Sequence, residues 1–163
     1  MISAILAISE NGCIGNRNQL PWPHIPEDMK WFQDKTTNHV VVMGSKTWDS
    51  LKYKPLKNRV NIVISSNDLS FFPGADDVIS HNILNDIQLL TLLYPNKEIF
   101  IMGGKQIYEQ CFTICDKLYI TKINKNYKGD TKLNLVEILP QYELEFTTNS
   151  GICTFQLWKK RND

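Results

Sequence analysis

Residues 2–8, ISAILAI, are apolar on both faces of an extended chain. A strand of that kind belongs at the centre of a sheet that helices cover on two sides. The runs that follow fit the same frame. HVVVM at 39–43, Arg59–Ser65 with NIVI in its middle, Glu98–Met102 and Lys117–Ile123 read as strands, and Asp77–Ile79 as a shorter one. Between them, residues 26–36, a short segment from Ser45 or Thr47 to about Leu51, residues 84–93 and Lys105–Cys111 read as helices. Residues 133–139 carry no firm pattern. Tyr142–Thr148 and Cys153–Lys159, joined at Ser150-Gly151, read as an antiparallel hairpin. Strands alternate with helices through residue 123 and strands alone follow. That order predicts a three-layer α/β fold with a mostly parallel sheet and an antiparallel C-terminal edge. At 163 residues the chain is long enough for one domain with a full core and too short for two ordinary ones.

Within that frame the stretch Asn18–Phe32, NQLPWPHIPEDMKWF, is the most unusual. Pro21, Pro23 and Pro26 each restrict the residue before them, so the helix cannot begin until about Pro26, where a missing N–H costs nothing. The loop before it is long for a compact domain, and long loops are often functional. Asp28, Met29 and Phe32 then share one helical face, with Trp31 at its margin. Two readings of Asp28 stand at this point. It is a first-turn acid that favours the helix N-terminus, or it lies in a pocket and recognises a ligand.

Composition narrows the chemistry. With 18 Lys and Arg against 17 Asp and Glu, the net charge of +1 gives no reason to expect nucleic acid or an acidic membrane as partner. No run is long and apolar enough for a membrane span, and the opening segment lacks the pattern of a signal peptide. Cys13, Cys111, Cys115 and Cys153 form no CxxC, and four free thiols in a cytoplasmic protein are expected. His24, His39 and His81 form no HxH or HExxH, so no metal site is expected. No GxSxG is present. Gly44 and Gly103-Gly104 each follow a strand and open a helix, an arrangement that suits phosphate, although tight turns use it as well and there is no GxGxxG fingerprint. Arg59, just before a strand, could pair a carboxylate in two-pronged fashion or simply be a surface charge.

Taken together, Ala7 in the opening strand, Ile14-Gly15, LPW at 20–22, PEDMKWF at 26–32, VMGSKTWDSL at 42–51, PLKNR at 55–59, IVISS at 62–66, IFIMGGKQIYEQ at 99–110, LYITKI at 118–123 and GDT at 129–131 resemble dihydrofolate reductase over nearly the whole chain. The resemblance implies a single domain over 1–163, an eight-stranded sheet with four helices, and an adenosine-binding subdomain at roughly 39–92. It implies NADPH as cofactor, dihydrofolate as substrate, binding of antifolate inhibitors, and a monomer. Asp28 would bind the 2-amino and N3 edge of the pterin, held by Thr121, with Trp22 nearby through water. Ile5, Leu6, Met29, Phe32, Leu51 and Met102 would supply apolar walls, and Arg59 would take the glutamate α-carboxylate. Residues 9–24 would be the loop that closes over the nicotinamide, which Ala7, Ile14 and Tyr108 would surround. Gly15, Asn18, Gly44, Ser45, Lys46, Thr47, Ser65, Ser66, Asn67, Met102, Gly103, Gly104, Lys105, Gln106 and Ile107 would complete the cofactor site, with a cis peptide joining the two glycines.

The chain departs from the family pattern in places. Ser45 and Gln106 stand where arginines are common, and Lys105 where a third glycine is common. One residue is added between Trp22 and Pro26, and Lys52-Tyr53-Lys54 is lengthened. Two other functions share the scaffold or the site: a pyrimidine reductase of riboflavin biosynthesis, which would not be expected to carry PEDMKWF with Arg59, and a non-catalytic folate- or nucleotide-binding protein, against which Asp28, Trp22, Gly103-Gly104 and Thr121 argue.

Overall fold

A computed structural model describes residues 1–162; Asp163, the last residue of the expected domain, lies outside the described residues. The strands are β1 (Ile2–Ser9), β2 (Cys13–Gly15), β3 (Val40–Gly44), β4 (Val60–Ile64), β5 (Asp77–Ile79), β6 (Ile99–Ile101), β7 (Lys117–Ile123), β8 (Thr131–Lys132), β9 (Tyr142–Asn149) and β10 (Cys153–Lys160). The helices are α1 (Pro26–Thr36), α2 (Ser45–Ser50), α3 (Ile83–Leu93) and α4 (Lys105–Cys111). Eight strands form one sheet in the order β5-β4-β3-β6-β1-β7-β10-β9. β1 is central, parallel to β6 on one side and to β7 on the other. β10 runs antiparallel to both β7 and β9. The expected α/β architecture is therefore the observed one.

Strand alternation divides the core. Val40 and Val42 of β3 pack with Ile87 and Leu90 of α3 and Ile107 and Cys111 of α4 on one face of the sheet. Val41 and Met43 pack with Trp48 of α2 on the other, against which Trp31 and Phe32 of α1 lie. These four side chains of β3 are fully buried, each contributing on the order of 1.5–3 kcal/mol by leaving water. The four cysteines are buried and unpaired, as expected. Among the described residues no helix is long and apolar enough to cross a membrane, and no cluster of metal-ligating side chains occurs.

α1 begins at Pro26 with no side-chain cap, its entry set by the extended Ile25 (φ −115°, ψ 103°). The loop before it is less irregular than its sequence indicated. β2 pairs with β8 in a small separate sheet. Neither segment has enough residues to show a period of two, so a contact between distant parts of the chain was invisible locally. Beyond β2, Arg17 and Asn18 adopt left-handed φ of 51° and 62°. This tip is tied at two points: the Arg17 N–H donates to Asp130 Oδ2 (2.9 Å), and Asn18 Nδ2 donates to the Lys46 carbonyl (3.2 Å).

Candidate active site

The sheet opens where β6 stops. β1 pairs with β6 only through Ala4↔Ile101, yet runs on to Ser9 beside β7. Past that point the Tyr108 hydroxyl, from α4, donates to the Ile5 carbonyl (2.7 Å). Burial raises the Tyr108 pKa far above its ordinary value, and the charges of Cys115 and Asp28 add to the shift. Tyr108 is therefore a fixed, neutral donor between two halves of one site.

On one side lies a cleft of about 510 Å³. Of the residues expected at the cofactor, Ala7, Ile14, Gly15, Asn18, Gly44, Ser45, Lys46, Thr47, Met102, Gly103, Gly104, Lys105, Gln106, Ile107 and Tyr108 line it. Ser65, Ser66 and Asn67 do not; they form a turn after β4, with the Asn67 N–H bonded to Ser65 Oγ (3.1 Å). Gln19, Leu20, Ser50, Ile64 and Thr131 line the cleft without having been expected there. Thr131 comes with β8, and Gln19 with the loop tip, where it pairs with Asn16. No acid lines the cleft, and Lys46 and Lys105 supply its positive charge.

The glycines shape its floor. The Gly44 N–H donates to the Gly103 carbonyl (2.8 Å), and a Cβ on Gly44 would press on Ile107 Cγ1 at 3.3 Å. The Gly103-Gly104 peptide is cis, as the resemblance implied, and Gly103 has φ +118°. A Cβ on Gly104 would meet Thr47 Oγ1 at 3.6 Å and would otherwise stand in the cleft itself. A bare backbone, a hydroxyl and two lysines around an acid-free space suit a large phosphorylated ligand.

On the other side is Asp28. It is half-buried on the first turn of α1. Burial raises its carboxyl above the ordinary value, and a hydrogen bond from the Thr121 side chain pulls it partly back. Thr121 is itself buried and stands in register between Ala7 of β1 and Phe155 of β10. Behind them Trp31 stacks on Phe155 (centroids 4.8 Å apart) and on Phe146 (6.4 Å). The Trp31 indole N–H is the one buried side-chain polar atom without a partner among the described residues. Trp22 is buried with Ile25, Ile123, Cys153 and Phe155, edge-on to Tyr127. The aromatic backing from the last hairpin was missed by sequence reasoning, because nothing local ties residues 146–155 to residue 28.

The remaining expected substrate residues divide. Ile5, Phe32 and Leu51 belong to the cluster beneath α1, and Met29 is exposed beside them. Leu6 does not join them: its side chain is buried on the α3–α4 face, as strand alternation requires of a residue next to Ile5. Arg59 lies at the far rim. Its Nε donates to the Lys57 carbonyl (2.9 Å), its Nη1 donates to Thr36 Oγ1 (3.1 Å), and its guanidinium is 5.8 Å from the Phe32 ring. Partial burial lowers its pKa. Nη2 has no partner among the described residues, so the guanidinium is anchored through Nε and Nη1 and keeps Nη2 free to donate.

Known proteins share this architecture. Residues 1–150 match the family profile described as dihydrofolate reductase. The chain is 39% identical over 145 residues to a dihydrofolate reductase of Buchnera aphidicola from Acyrthosiphon pisum, covering 89% of this chain and 86% of that one. It is 42% identical over 130 residues to the Bacillus subtilis dihydrofolate reductase, covering 80% and 73%. Among solved structures, the Enterococcus faecalis dihydrofolate reductase complexed with NADP(H) and RAB-propyl superposes with a TM-score of 0.83 at 26% identity, covering 99% of this chain and 97% of that one. With a family profile spanning most of its length and relatives this similar, the chain belongs to the dihydrofolate reductase family.

Proposed function

We propose that Asp28 anchors the pterin of 7,8-dihydrofolate beside NADPH held in the cleft, and that the chain reduces this substrate to 5,6,7,8-tetrahydrofolate for one-carbon metabolism and thymidylate synthesis. The observation that carries the reading is the Asp28–Thr121 pair: a half-buried carboxylate over an apolar floor, adjoining an acid-free cleft lined by glycine and lysine. A carboxylate accepts two hydrogen bonds from the amino and ring N–H edge of a pterin. Thr121 fixes its orientation. Arg59 offers its free Nη2 to the α-carboxylate of the glutamate, and Phe32, Leu51 and Met29 flank the aminobenzoyl ring.

When bound, NADPH supplies the hydride. The protein's own part is alignment, exclusion of water and charge. Ala7, Ile14 and Tyr108 bound the nicotinamide end. Lys46, Thr47, Gly103, Gly104 and Lys105 take the phosphates, with Ser65, Ser66 and Asn67 at the adenosine end of a subdomain over roughly 39–92. The loop tip tied to Asp130 and Lys46 covers the nicotinamide and keeps bulk water from the reacting atoms. Asp28 polarises the pterin from its far edge and raises the proton affinity of N5, to which water delivers the proton. Buried, unpaired cysteines support a reducing, cytosolic setting, and a monomer sensitive to antifolates completes the reading.

The test is loss of NADPH absorbance on adding dihydrofolate, with and without a diaminopyrimidine antifolate. Oxidation that the antifolate blocks is expected; none in the wild-type protein overturns the proposal. A second expectation concerns the missing guanidinium. Lysines act as point charges and not as planar forks, so calorimetric binding should favour NADPH over NADH by only about tenfold. Lys105→Ala should weaken both dinucleotides alike, because the pyrophosphate is common to them.

A further inference from the structure

β4 reads Val-Asn-Ile-Val-Ile, and Asn61 is the one polar side chain in an otherwise apolar strand. It lies beside Val41 of β3 and is 1% exposed. An amide buried in such a strand is costly unless each donor and acceptor it carries finds a partner. Asn61 meets that condition. Its Oδ1 accepts from the Leu56 N–H (2.9 Å), and its Nδ2 donates to the carbonyls of Leu56 (2.9 Å) and Arg59 (3.0 Å). The two carbonyls decide which end of the amide is nitrogen.

All of these partners belong to the segment 56–59, and the anchor behind them is firm. The Asn61 N–H donates to Asp76 Oδ2 (2.7 Å), and its carbonyl accepts from the Asp76 N–H (2.8 Å). The side chain therefore ties both ends of the segment to the sheet. Between those ends the Asn58 carbonyl accepts from the Asn38 N–H (2.7 Å). The Arg59 guanidinium leans on the same segment through the Lys57 carbonyl, while its other tether, Thr36, belongs to α1. The direction of Nη2 thus depends on where residues 56–59 sit.

We propose that Asn61 is a positioning residue for substrate recognition: it fixes the segment that carries Arg59, so that Nη2 is already aimed when the α-carboxylate of dihydrofolate arrives. The proposal rests on the reading of Arg59 given above. A guanidinium held in advance loses less freedom on binding, which shows as higher affinity. Asn61 does not line the cofactor cleft, so its effect falls on the KM of a substrate that carries the glutamate, not on hydride transfer. A side chain that merely kept the core intact would affect every substrate alike.

The experiment compares dihydrofolate with 6-methyl-7,8-dihydropterin, the same ring without the aminobenzoyl-glutamate tail. In Asn61→Ala the selectivity, kcat/KM for the first over that for the second, should fall about five- to thirtyfold, part of what a hydrogen bond to a charged group contributes. The fall should come from KM for dihydrofolate. Arg59→Ala should lose at least as much selectivity, and the double variant no more than Arg59→Ala alone, because Asn61 acts only through that guanidinium. Selectivity retained in Asn61→Ala, or losses that add in the double variant, would overturn the proposal. Arg59→Ala with wild-type selectivity would instead overturn the reading of Arg59. A measurement on the wild type covers the case in which Asn61→Ala does not fold. Without substrate, 15N order parameters at the backbone of residues 57–59 and at Arg59 Nε should be near the rigid value of about 0.85, and values below about 0.6 would overturn the proposal.

Discussion

Asp28→Asn is expected to lower turnover of dihydrofolate at neutral pH by about 10²–10⁴-fold, the range for removing a group that governs a proton transfer, and at the same time to raise the melting temperature. The first effect follows from charge. The amide is nearly the same shape as the carboxylate, but it turns one acceptor into a donor facing a substrate edge that itself donates. It also removes the negative charge that draws a proton to N5. The loss should therefore shrink as the pH falls, because acid protonates the substrate without help from the protein. A variant that matches the wild type between about pH 5 and 9 would remove Asp28 from this role.

The gain in stability follows from linkage. Burial raises the Asp28 pKa in the folded protein above its value in the unfolded chain. Between the two values the native state binds the extra proton, so stability falls as pH rises through the folded pKa. Above that window the ionised, half-buried carboxylate costs stability that an amide does not. The wild type should therefore gain melting temperature relative to the variant as the pH is lowered, the two curves converging once Asp28 is protonated in both states. Thermal melts across the acid range measure this directly. A wild type that instead loses stability relative to the variant on acidification would show that the Thr121 hydrogen bond outweighs desolvation.

Which parts of this site the sequence displays depends on how local their causes are. Pro26 and the helical spacing after it place Asp28 on the first turn of α1, because backbone sterics act between neighbours. Gly44 at the end of β3 and the glycine pair after β6 are equally visible, since each follows an apolar run. The backing of Trp31 by Phe146 and Phe155 is not, because it depends on how the final hairpin packs. The pairing of β2 with β8 is hidden for the same reason. Ile5 and Leu6 are legible in another way: strand geometry alone sends adjacent side chains to opposite faces, and Ile5 packs beneath α1 while Leu6 packs on the α3–α4 side. Ser65, Ser66 and Asn67 sit on a turn whose direction after β4 no pattern encodes.

The β2–β8 contact carries the second large effect. A Cβ on Gly129 would lie 2.6 Å from the Gly15 carbonyl oxygen and 3.3 Å from both Cβ and Sγ of Cys13. The nearest obstacle is backbone, so no side chain can swing aside, and Gly129→Ala must push β2 away from the 129–132 segment. Three contacts depend on that approach: Cys13 Sγ to the Tyr127 carbonyl (3.1 Å), the Leu133 N–H to the Gly12 carbonyl (2.9 Å), and the Arg17 N–H to Asp130. Ile14 and Gly15 line the cofactor cleft, so the displacement reaches the reacting rings. Misplacement by about 1 Å can cost on the order of 10²-fold in rate, and overpacking costs about 1–3 kcal/mol of stability. Gly129→Ala should therefore show a large fall in single-turnover hydride transfer together with a lower melting temperature. Two comparisons separate geometry from general destabilisation. Gly151→Ala strains a left-handed φ of 92° with no atom within 4 Å of the new Cβ, and should lower stability while leaving the rate unchanged. Asp130→Ala frees the loop tip without crowding β2, and should lower the rate less than Gly129→Ala while sparing stability, because its carboxylate is exposed. If all three variants lose rate in proportion to their loss of stability, close approach of Gly129 to Gly15 has no special part in shaping the cleft.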